Sequence, residues 1–163
     1  MDYNVIFDIS NFRYPWFGRN MFEIIIILTI VLFYFLIDKY LEDYIQIRLS
    51  FIISFIVVIV LGSCFSNFFS YSAYQSIKNK YLNKQYKVVE GYVENVSVEY
   101  SRINKQRFSV QNVNFEISDN ITTGGYNTTI IEGGKIRENE FIRLHYIEKV
   151  NDERIIAKFE IKK

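Results

Sequence analysis

Residues 49–69, LSFIISFIVVIVLGSCFSNFF, run for 21 positions without a charged side chain. No other feature narrows the choice of fold as far. The hydrocarbon core of a bilayer, roughly 30 Å thick, is crossed by about 20 helical residues, and the rest of the chain is too small to cover such a helix on every side. The run therefore predicts a membrane span. Within it Gly62 and Ser66, like Ser50 and Ser54, are small residues four apart, a spacing that lets helices approach closely. A preceding helix is the natural partner, and a homo-oligomer through this span is the alternative. Cys64, between them, reads as a small packing residue.

A second apolar run, MFEIIIILTIVLFYFLI, covers 21–37. Its uncharged part, Ile24 to Ile37, is 14 residues long, with Met21 and Phe22 extending it and Glu23 near the headgroup end. Read as another span, about 21–38, it makes a transmembrane helical hairpin over 21–69. Residues 1–20 then form an N-terminal interfacial segment, with Tyr14, Trp16 and Phe17 at headgroup depth beside Arg13 and Arg19, and Pro15 turning the chain toward the bilayer. The segment is not strongly basic and no small-residue cleavage site follows it, so a cleaved signal peptide is not expected. Arg13, Arg19, Lys78, Lys80 and Lys84 flank the spans outside the hairpin loop, against Lys39 and Arg48 within it. Five against two places both termini in the cytoplasm of a multi-pass protein of the cell inner (plasma) membrane.

Composition excludes more than it selects. The net charge of +1 gives no field suited to nucleic acid, and residues 85–163 hold twelve Lys plus Arg against twelve Asp plus Glu. One cysteine excludes an internal disulfide and a cysteine-rich metal site. The single histidine, His145, has no further His or Cys to share a metal with. No G-x-S-x-G elbow supports a nucleophile. Neither enzyme activity nor a cofactor is expected.

Beyond the second span, residues 70–85 contain no Gly or Pro, and Ala73, Ile77 and Tyr81 recur at four-residue spacing, as do Tyr74, Lys78 and Leu82. A helical connector is expected there, its lysines facing anionic headgroups. From residue 86 the period changes to two. Val89 and Val93 share one face and Val96 and Val98 the other, so Gly91 or Asn95 marks a bulge. FSVQNVNFEI reads as a hairpin turning at Gln111–Asn112. FIRLHYI places Ile142, Leu144 and Tyr146 inward and Arg143 and His145 outward. IIAKFEI puts Ile155, Ala157, Phe159 and Ile161 on one face. Five or so antiparallel strands over 86–163 predict a small β-barrel domain, OB-like, with an SH3-like barrel as the alternative. The fold class expected is thus an α+β membrane protein, a two-helix transmembrane hairpin followed by a small antiparallel β-barrel.

The order Val89–Gly91–Val93–Asn95, Phe108–Val110–Val113–Phe115, Gly125–Asn127, Gly133–Gly134–Ile136 and Ile142–Arg143–Leu144–Tyr146, with the N-terminal NFRYPWFGR, resembles an uncharacterised family of small bacterial membrane proteins with two transmembrane helices and a C-terminal β domain. The resemblance covers most of the chain. It implies architecture and brings no activity, cofactor or catalytic residue. Where members of that family often carry Pro after the paired glycines, this chain has Lys135.

TTGGYNTTIIEGGK, residues 122–135, holds four of the seven glycines. It matches neither G-x-G-x-x-G nor the P-loop pattern, and a strand rather than a helix follows, so turns needing positive φ explain the glycines. The functional alternative is a ligand or partner loop at a barrel mouth, formed by Gly124, Gly125, Tyr126, Asn127, Gly133 and Gly134, with Thr128 and Thr129 beside them. Three functional readings follow. The first is a membrane-anchored, non-enzymatic β module for protein interaction or scaffolding, with the lipid bilayer and a membrane or cytoplasmic protein as partners and no nucleic acid. The second is a small-ligand or lipid-headgroup sensor using loop 122–135. The third is an immunity-type protein against an envelope-acting toxin.

Overall fold

The computed structural model describes residues 2–14, 25–29, 45–119, 124–149 and 152–163. The chain divides into two compact units, Met1–Arg13 with Ser72–Lys163, and Tyr14–Tyr71.

The elements are β1 (Tyr3–Asp8), α1 (Ile45–Leu82), β2 (Lys87–Glu99), β3 (Lys105–Val110), β4 (Val113–Ser118), β5 (Phe141–Glu148) and β6 (Arg154–Lys162), with a single 3-10 turn at Ile130–Glu132. The six strands form one antiparallel sheet in the order β1-β6-β5-β2-β3-β4. Each turn follows from its residues. Gln111 (φ 47°) and Asn112 (φ 63°) make the two-residue link from β3 to β4, the conformation whose twist matches paired strands. Asn95 (φ 54°) sits at the register shift between Glu94 and Ser97, so β2 bends there and carries one register to β5 and another to β3.

The core lies on one face of the sheet, where Val89, Val93, Phe108, Phe115, Ile142, Leu144, Tyr146 and Phe159 pack together with Ile136 and Tyr126. β6 does not keep a single alternation. His145 pairs with Lys158 but Tyr146 with Ile156, so one extra residue enters β6. Phe159 and Ile156 both reach the core, while Ile155 and Ala157 are buried outside that cluster. Tyr74 and Ile77, on the last turns of α1, are buried too.

Two expectations are corrected. The sheet is open, not a closed OB-like or SH3-like barrel. Closure needs the two edge strands to pair, and here β1 occupies the outer edge of β6 while β4 forms the other edge. Residues 3–8, expected within an interfacial segment, form the β1 edge strand. Among the described residues one helix, not two, is long and apolar enough to cross a membrane, counted over Ile53–Leu82. The transmembrane helical hairpin is therefore not found. The first run's uncharged part, at 14 residues, is shorter than the roughly 20 a span requires. Residues 25–29 are helical, and the rest of that expected span, about 21–38, lies outside the described residues. So do Pro15, Trp16, Phe17 and Arg19.

Candidate functional site

Loop 122–135 is held by polar side chains from outside it. Its first two residues, Thr122 and Thr123, lie outside the described residues. The Asp119 carboxylate accepts the Thr129 backbone N–H at 2.8 Å and the Thr129 hydroxyl at 2.7 Å. Gln106, fully buried on β3, donates to the Ile136 carbonyl at 2.9 Å and accepts the Ile130 N–H at 2.8 Å. One side chain thus satisfies two backbone groups of the loop, which would otherwise cost about 1–3 kcal/mol each if buried unpaired.

The six residues singled out in the sequence have separate surroundings. Gly124 (φ 79°) packs against Tyr74, and a Cβ there would come within 2.7 Å of that ring. Gly125 lies on β6, where a Cβ would meet Ile155 Cγ2 at 2.4 Å. Tyr126 is buried between Phe7 and Phe159, with ring centroids at 5.8 and 5.1 Å. Its hydroxyl accepts the Lys135 N–H at 3.0 Å, and burial pushes its pKa up. Asn127 is half-buried. Gly133 (φ 85°) ends the 3-10 turn, and Gly134 donates its N–H to the Thr129 carbonyl at 2.8 Å. Carbonyl oxygens of Thr128 and Thr129 fill the space above Gly134. A phosphate cradle needs converging N–H donors, and carbonyls at that place repel an anion.

The other constellation needs the strand register to be seen. On the sheet face opposite the core, cross-strand pairing sets Tyr92, Phe141, Lys162 and Tyr3 in one row, Glu90, Arg143, Glu160 and Val5 in the next, and Val88, His145, Lys158 and Asp8 in a third. The middle row is an ion-pair ladder. Arg143 Nε donates to Glu90 at 2.7 Å, and Arg143 Nη1 lies 3.9 Å from Glu160. Tyr3 donates its phenol to the other oxygen of Glu90 at 2.5 Å, and its ring lies 3.9 Å from the Arg143 guanidinium carbon. The Tyr3 hydrogen bond, then that of Arg143, hold the Glu90 carboxyl below its ordinary range. Lys158 bonds Glu160 at 2.8 Å.

His145 stands on the outward face as its alternation predicted, yet its side chain is only 15% exposed. Tyr86 covers it with centroids 4.9 Å apart, and Tyr81 lies at 6.3 Å. Burial, then the nearby Lys158 charge, lowers its pKa, so the neutral ring is favoured. Burial also raises the Tyr81 phenol to about 12. An open cleft of about 590 Å³ lies beside the ladder, lined by Val88, Glu90, Gly91, Tyr92, Glu94, Gln111 and Phe141. Tyr92 and Phe141 meet edge-on at 5.1 Å, and Tyr92 is 59% exposed. Alternation alone marked Arg143, His145, Lys158 and Glu160 as outward. It gave no signal for Tyr3, whose strand enters the sheet from the far end of the chain. Among the described residues no group of three or more His, Cys, Asp and Glu is placed to hold a metal ion. Comparison with protein-family models, with curated proteins and with solved structures gave no match, so the resemblance to a family of small membrane proteins rests on the sequence motifs alone.

Proposed function

We propose that the protein is a membrane-anchored, non-enzymatic β module that binds a protein partner. The observation that carries this reading is the divided character of α1. Most of its large side chains from Ile53 to Phe69, among them Phe55, Val58, Leu61, Phe65 and Phe68, are exposed, whereas Tyr74 and Ile77 on the same helix are buried. A helix that is apolar all round suits lipid; one whose next turns join a folded core tethers that core to the membrane.

The pairing of β1 with β6 adds sidedness. Strands in one sheet lie on one side of a bilayer, so Asp2 and Lys163, which flank the paired β1 and β6, share a face. Lys78, Lys80 and Lys84 support the cytoplasmic face of an inner membrane. With Cys64→Ser as background, Asp2→Cys and Lys163→Cys are expected to react alike with an impermeant thiol reagent in sealed vesicles. Reaction of one and protection of the other would overturn the topology.

The partner surface this reading favours is the cleft at Tyr92, Phe141 and Val88. An exposed aromatic such as Tyr92 beside a second ring is what the centre of an interaction patch favours. A photo-crosslinking residue at Tyr92, in the full chain in native membranes, is expected to trap a different protein. Adducts only with lipid or with a second copy would count decisively against a partner protein.

A further inference from the structure

We infer that the end of the β unit around Asn11, Phe12 and Arg13 rests on the lipid headgroups, so that the unit sits flush on the bilayer instead of standing off it. The inference rests on the reading of α1 as a membrane helix. Its observations are those at the places where the chain leaves and re-enters the β unit, Arg13 and Ser72.

These two points are fastened together. Tyr74 donates its phenol to the Phe12 carbonyl at 2.6 Å, and the two rings meet edge-on at 6.1 Å. Phe12 packs on Phe7 at 5.7 Å and Phe7 on Tyr126 at 5.8 Å, which carries the contact into the core. Gly124 presses against the Tyr74 ring from another side. One step along each strand of chain, Tyr14 and Tyr71 meet edge-on at 5.8 Å. Within the β unit, Phe12 and Tyr74 are therefore held in an aromatic clasp.

Its depth follows from the helix. Tyr74 lies five residues beyond Phe69, the last residue of the 21-residue run, or about 7.5 Å along α1 at 1.5 Å per residue. The headgroup layer adds roughly 5–8 Å to each side of the hydrocarbon core. The part of the β unit that buries Tyr74 is thus at headgroup level or immediately above it. The side chains exposed there have the matching chemistry. Phe12 is 36% exposed, and Asn11 and Arg13 are exposed beside it. Aromatic rings with a cation for the phosphate are what membrane–water interfaces select.

The test uses the full chain in vesicles of phosphatidylcholine with phosphatidylglycerol, doped with nitroxide lipid. An environment-sensitive fluorophore is placed singly at Asn11→Cys or Tyr100→Cys on a Cys64→Ser background, or at native Cys64. The label at residue 11 is expected to lose at least half its emission to headgroup nitroxide, and the label at residue 100, where Tyr100 is 79% exposed, much less. If residue 11 is quenched no more than residue 100 while Cys64 is quenched by mid-chain nitroxide, the flush placement is wrong and the membrane helix stands. If Cys64 is not quenched either, the membrane helix itself is wrong.

Discussion

Replacing Gly134 by Ala is expected to destabilise the β unit by about 3 kcal/mol or more, and replacing its neighbour Gly133 by roughly 1–2 kcal/mol. The two costs have different origins. A Cβ on Gly134 would lie 2.2 Å from the Thr128 carbonyl oxygen and 2.7 Å from that of Thr129. Both are backbone atoms of a segment pinned to Asp119, so they cannot rotate away, and the cost is that of overpacking a fixed site. Gly133 has nothing within 4 Å of a new Cβ, but its φ of 85° is a left-handed conformation, which costs an L-residue about 1–2 kcal/mol. Denaturant unfolding of the full chain, followed by hydrogen exchange at β-unit amides, measures both. Equal small effects would show that the loop is open above both glycines, the shape a ligand-binding loop would have.

The Phe159→Ala variant is expected to lose about 3–5 kcal/mol, the range for deleting a large aromatic from a core. Phe159 is fully buried, packs edge-on against Tyr126, and pairs across the sheet with Leu144 on one side and Phe7 on the other. Its loss undermines β1 and loop 122–135 together. For a domain of this size the melting temperature should fall by roughly 15–30 °C. Hydrogen exchange should show β1 losing protection first, because its backbone pairs with β6 alone in the sheet. Protection retained in β1 at the level of β5 would contradict that order.

The legible parts of this fold were those decided by local chemistry. Gln111–Asn112 announced its hairpin because a two-residue turn selects residues that tolerate positive φ. Val89 and Val93, and Ile142, Leu144 and Tyr146, announced an inward face because one side of each strand is buried. What failed was decided by distant partners. Residues 3–8 alternate too briefly to declare a strand, and nothing near them says that the sheet's edge at β6 is vacant. Ile155 and Ala157 continue the alternation of Phe159, but the extra residue in β6 puts them outside the cluster that Phe159 joins. A bulge leaves no local mark when both of its sides are apolar. The glycine-rich loop drew notice for its composition, yet the side chains that hold it, Asp119 and Gln106, lie outside the motif. The ladder of Glu90, Arg143 and Glu160 consists of ordinary outward charges until three strands are brought into register.

The joining of Tyr3 to Lys162 bears on how the molecule is made. β1 is synthesised well before β6, the strand it pairs with. At about 5–20 residues per second, roughly 8–30 s pass between the emergence of β1 and that of its only neighbour. The backbone of β1 must wait through that interval for its paired strand. A message truncated before the codon for Arg154 would delete one strand from the polypeptide and leave a second with nowhere to dock.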